Sequence, residues 1–121
     1  MQDYRKLVVW QKSHEIVLEM YRLTKRLPSE ERFGMVSQMR RAAVSVAANI
    51  VEGCGRGSDP DFARFLQQAL GSALEIDYFC LLAKDLGYVA QEQIDLICSR
   101  IVEVRRMLLK LIETVRNRKG S

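Results

Sequence analysis

The segment Ser37-Gln-Met-Arg-Arg-Ala-Ala-Val-Ser-Val-Ala-Ala-Asn-Ile-Val-Glu-Gly53 constrains this chain more than any other. From Ala42 to Val51 it carries no charge, and its side chains are mostly small. Read as a helix, it has no solvent face, and a helix apolar all round is buried all round. In a chain of 121 residues, that demands more covering surface than one edge of a bundle supplies. The segment therefore predicts assembly, with further copies of the chain or with another partner.

The rest of the sequence divides into amphipathic segments of helical period. In the first, about residues 8–27, Val9, Ser13, Ile16, Met20, Leu23 and Leu27 follow steps of four and three. Such spacing places them on one face. Pro28-Ser29 breaks the pattern, with Ser29 as the expected cap of a second helix over about 30–52 and Gly53 as its C′ residue. Met39, Ala43, Val46 and Ile50 form its seam. Ser58 or Asp59 caps a third helix over about 59–86, with Pro60 in the first turn, where a missing N–H does no harm. Phe62, Leu66, Ala69, Ala73, Ile76, Cys80 and Ala83 repeat along it, and Gly87 ends it. A fourth helix, about 91–117, repeats Ile94, Ile97, Ile101, Val104, Leu108, Leu111 and Val115. Small residues at Ala42, Ala43, Ala47, Ala48, Gly71, Ser72 and Ala73 would let helices two and three approach closely. Four helices joined by short loops predict an all-α fold: one domain, residues 1–121, built as an antiparallel up-down-up-down four-helix bundle.

Charge is unevenly distributed. Residues 1–58 hold ten basic and six acidic groups, residues 59–99 two and seven, and residues 100–121 seven and two. The basic ends would attract nucleic acid or an acidic protein. Arg40, Arg56, Arg105, Arg116, Arg118 and Lys119 are the nucleic-acid-binding candidates, and assembly would repeat them around an axis. Trp10, Phe62 and Phe65 read as core, so backbone or shape recognition of structured RNA is expected ahead of base stacking.

Enzyme chemistry finds little support. His14 is the only histidine, which removes a histidine metal cluster or dyad, and no P-loop, nucleophile elbow or dinucleotide turn occurs. Cys54, Cys80 and Cys98 are widely spaced and odd in number, which argues against a disulfide framework or zinc site and predicts reduced thiols. No cofactor, metal or small-molecule substrate is expected. The N-terminus lacks a signal peptide's apolar core and no apolar run reaches membrane-spanning length, so a cytoplasmic protein is expected. Gln38, Arg41, Ser45, Asn49 and Glu52 share one line of helix two. That line reads as a polar network fixing helix register against helix three, with an Arg41–Glu75 pair within reach. The alternative to RNA binding is a protein-binding scaffold or adaptor, which needs only the buried second helix and the patch it must hide.

Trp10-Gln-Lys, Tyr21, Leu27-Pro28, Glu31, the Ser37–Gly53 segment, Arg56, Phe62-Ala-Arg-Phe-Leu66 and Gly71-Ser-Ala-Leu-Glu75 resemble a known family. These are the four-helix bundle proteins encoded in intervening sequences of bacterial 23S rRNA genes. The family also includes the accessory variability determinant proteins of diversity-generating retroelements. The resemblance covers nearly the whole chain and implies an antiparallel bundle assembled as a ring, commonly a pentamer. In the retroelement branch it implies binding of a reverse transcriptase and its template RNA. It implies no catalytic residue.

Overall fold

The computed structural model describes residues 2–118. Four helices follow one another: α1 (Val8–Thr24), α2 (Met35–Cys54), α3 (Asp59–Asp85) and α4 (Gln91–Arg116). Each packs on its two neighbours in the sequence-circular order, and the diagonal pairs stay apart. The cross-helix bonds run in opposite sense along neighbours. Lys12 and Glu19 of α1 meet Glu103 and Arg100 of α4, at 3.1 and 3.6 Å. The fold is therefore all-α, an antiparallel up-down-up-down four-helix bundle.

The three-four repeats account for the core. Ile16 and Met20 of α1, Met39, Val46 and Ile50 of α2, Leu66 and Ile76 of α3, and Ile97, Ile101 and Leu108 of α4 have no more than a trace of exposed surface. Burying a side chain of this size contributes about 1.5–3 kcal/mol. Ser13 and Thr24 are also buried, and each returns its hydroxyl to the carbonyl four residues earlier, at 2.7 and 2.8 Å. Each hydroxyl proton is thus satisfied within its own helix. Near the end of the α4 seam, Ile112 takes the fully inward position and Leu111 lies at its margin.

The helix ends depart from the sequence expectation in three places. α1 stops at Thr24, three residues short of Leu27. There the chain tightens into bonds spanning three residues, Arg26 N–H to Leu23 O at 3.0 Å and Leu27 N–H to Thr24 O at 3.2 Å. α2 begins at Met35 and not near residue 30, because Ser29–Glu31 forms a separate 3-10 turn and Gly34 (φ −105°, ψ −106°) breaks the path between them. Ser29 caps nothing with its side chain. Glu31 does that work: its carboxylate accepts from the Met35 N–H at 3.3 Å and from the Tyr88 hydroxyl at 2.8 Å. One side chain so joins the start of α2 to the end of α3.

Gly53 lies inside α2 and is not its C′ residue. A Cβ there would stand 2.9 Å from the Phe62 ring and 3.1 Å from Phe65 Cβ, so the glycine is needed for the approach of α3. Gly71 is the opposite case, since a Cβ built on it meets nothing within 4 Å. The close approach of α2 and α3 rests instead on buried Ala42, Ala43, Ala69 and Ala73. Gly87, at φ +77°, closes α3 as expected of a C′ glycine. Its N–H reaches Lys84 O at 2.9 Å and the Tyr88 N–H reaches Ala83 O at 3.0 Å, the paired bonds of a Schellman end.

Candidate nucleic-acid and assembly surface

Helix α2 is not buried all round within one chain. Val44 is 41% exposed, Ala48 is exposed and Val51 is partly so, and together they form an uncharged outward face. Arg40 and Arg41 border that face at its N-terminal end.

The polar line of α2 converges only in part. Asn49 Nδ2 donates to Ser45 O at 2.9 Å and Ser45 Oγ at 3.0 Å, and the Ser72 hydroxyl of α3 donates to Ser45 Oγ at 2.8 Å. This three-residue knot sets the register of α2 against α3. Gln38, Arg41, Glu52 and Glu75 lie outside it, exposed. Glu52 pairs along its own helix with Arg56 at 2.6 Å, and among the described residues no ion pair joins Arg41 to Glu75. The steps of three and four placed these residues on one side of α2. They did not reveal how far round that side α3 reaches.

The candidate cations separate into two groups. Arg56 is neutralised by Glu52 and covers the Phe65 ring at 4.6 Å. Arg105 pairs across to Asp77 of α3 at 2.9 Å, and Arg118 reaches Asp59 at 3.3 Å. Phosphate would have to displace a carboxylate at each. Arg116 is exposed with no ion pair among the described residues, and Lys119 lies outside them. Arg40 donates to Thr24 Oγ1 at 2.8 Å and Tyr21 O at 3.4 Å, and lies over the Tyr21 ring at 4.4 Å. It thus meets one carbonyl and one hydroxyl of the last turn of α1, where the helix dipole favours a cation.

Arg40 also leads to a feature that the sequence reading missed. With Arg32 and Arg41 it lines an open groove between the end of α1 and the start of α2, shared with Tyr21, Phe33, Val36, Ser37, Val44 and Ser45. No carboxylate lines it, and none of the three arginines has an acidic partner among the described residues. Phe33 is 87% exposed. It was legible only as one aromatic next to Gly34, in a stretch assigned to a helix. The aromatics expected in the core behave as core or support: Phe62 and Phe65 are buried, and Trp10 packs between Tyr4 and His14, with ring centroids 4.9 and 5.2 Å away.

The cysteines are inert by position. Cys54 and Cys80 are buried, Cys98 is half-buried, and all are free thiols. Burial is the main cause that raises each thiol's pKa, and Cys80, beside Cys98 and Asp77, is pushed up to about 12. A nucleophilic cysteine needs the reverse shift. The raised value predicts alkaline sensitivity. Unfolded Cys80 ionises near 9.0 and the folded thiol near 12, so its contribution is complete below pH 9 and is lost as pH rises towards 12. Urea unfolding at pH 8 and pH 10.5 should show stability falling by up to about 1.4 kcal/mol per pH unit from this residue. Cys80→Ala should flatten that fall. Among the described residues no His, Cys, Asp and Glu cluster fits a metal ion, and no helix is long and apolar enough to cross a membrane.

No curated protein matches the chain. A solved structure does: a protein with unknown function from the S23 ribosomal protein family of Bacteroides thetaiotaomicron VPI-5482. It is 33% identical over 87% of this chain and 98% of its own, with a TM-score of 0.81. The model of the 23S rRNA-intervening sequence proteins matches residues 5–110, which include all of α1, α2 and α3 and most of α4. With the helix order, the α2 signature and this coverage in agreement, the chain belongs to the 23S rRNA-intervening sequence protein family.

Proposed function

We propose that this protein is a non-enzymatic, cytoplasmic helical bundle that assembles with copies of itself into a ring-like oligomer. The assembly binds structured RNA or a ribonucleoprotein partner through a basic surface that it repeats. One observation carries the reading: the outward face of α2, uncharged from Ala42 to Val51 with Val44 and Ala48 uncovered, and bordered by arginines that no carboxylate neutralises among the described residues. A second copy covering that face removes apolar surface from water and brings two sets of arginines together.

Light scattering tests the first part, with a mass several times the 13.9 kDa of one chain expected and a monomer fatal to it. Filter binding of a structured RNA at rising salt tests the second. Affinity should fall log-linearly with salt, because phosphate contacts release counterions. Absence of binding at low salt, or binding indifferent to salt, would overturn it.

The scaffold reading draws support from a different feature. Leu74, Tyr78 and Leu81 of α3 are each about half-exposed and fall at helical spacing, a patch suited to a protein partner. Pull-down from native lysate with and without nuclease separates the two readings, since partners held through RNA vanish on digestion.

A further inference from the structure

Phe33 is the most exposed large apolar side chain among the described residues, on the short link between the 3-10 turn and α2. Its ring carries the Arg32 guanidinium 5.4 Å from its centroid. Across the groove the Tyr21 ring, 41% exposed, carries Arg40 at 4.4 Å. Arg41 lines the same groove and makes no hydrogen bond or ion pair among the described residues. The open groove has a volume of about 700 Å³, room for a small organic group laid against its wall. Its lining therefore offers two aromatic faces and three arginines, with no acid.

These groups suit a ligand that is flat and aromatic at one end and anionic at the other. Resting on the RNA-binding reading above, we propose that the groove receives an unpaired nucleotide of an RNA strand. Its base stacks on Phe33 and its flanking phosphates meet Arg41 and Arg32. A paired base has both faces covered by its neighbours, so only a splayed base can use the ring. The cations also continue beyond the groove. Lys25 and Arg26, at the end of α1, are exposed and without carboxylate partners among the described residues. A strand has further phosphates to place there, which a single free nucleotide lacks.

The test is fluorescence anisotropy at fixed low salt with two labelled RNAs of equal length, one fully paired and one carrying an unpaired bulge. Wild-type protein should prefer the bulged RNA. Phe33→Ala should weaken bulged-RNA binding by about tenfold and leave duplex binding unchanged, and Phe33→Tyr should retain the preference. Phe33 is almost fully exposed, so the alanine variant should melt like the wild type, which circular dichroism checks. Equal losses on both RNAs, or none on either, would overturn the nucleotide site while leaving RNA binding intact. Wild-type protein that binds neither RNA would overturn the site and the reading beneath it together. A Phe33→Ala variant that changes the oligomeric mass but not RNA affinity would make this a protein contact and overturn the proposal.

Discussion

Ala69→Asp should leave the chain largely unfolded at 25 °C. Ala69 has no exposed surface and lies on the inward face of α3. Among the described residues the buried polar side chains are Ser13 and Thr24, and both already give their hydroxyl protons to their own helix. A carboxylate there would put a charge inside the apolar core cluster. Burying such a charge costs several kcal/mol, against a total stability of about 5–15 kcal/mol for a domain of this kind. Gly71→Ala, two residues further on, should act in the opposite direction. That position is open, so the change adds helix propensity without a clash and should stabilise by about 0.5–1 kcal/mol. Urea titrations of the two variants beside the wild type measure both. A cooperative transition for Ala69→Asp at the wild-type midpoint would show that the inward face of α3 is wrongly assigned.

Reversing two charges in the groove should have the largest effect on RNA. Arg32→Glu with Arg41→Glu removes two unneutralised cations and places two carboxylates against the phosphates. Affinity should fall by about a hundredfold near 0.1 M salt, and the slope of log affinity against log salt should become shallower by about two. Arg105→Gln serves as the contrast. Its guanidinium already holds Asp77 at 2.9 Å, so RNA affinity should change little, and losing this part-exposed pair should cost no more than about 1 kcal/mol of stability. Filter binding reads the first effect and denaturant titration the second. If Arg105→Gln weakened RNA binding as much as the double reversal, the surface around α3 and α4 would be the interface.

The helical period made most of the bundle legible. Ile16, Met20, Met39, Ile50, Leu66, Ile76, Ile101 and Leu108 declare their inward faces by spacing alone, and the structure buries all of them. Helix ends were less legible because competing local bonds decide them. Ser29 has the chemistry of a cap, yet Gly34 interrupts the chain after it and Glu31 reaches Met35 in its place. Gly53 has the chemistry of a helix end, yet two phenylalanines that follow it in sequence make it an interior residue. The cationic surface was least legible. Composition counts Arg56, Arg105 and Arg41 alike, but which of them meets a carboxylate depends on contacts between residues 4 and 28 positions apart. Phe33 lay hidden for a related reason. An aromatic in an apparent helix reads as core until the break at Gly34 turns it outward.

The seams of the bundle are also unequal in kind. α2 and α3 meet through alanines and a hydroxyl knot, whereas α1 and α4 make the sparsest contact of any neighbouring helices and are bridged at their margin by Lys12–Glu103 and Glu19–Arg100. Such pairs weaken as salt rises, and apolar packing does not. The bundle therefore has a built-in direction of breathing. Excursions that part α1 from α4 should cost least and leave α2 and α3 together. Amide protons of α1 and α4 should exchange with solvent before those of α2 and α3, and the interval between the two sets should widen with ionic strength.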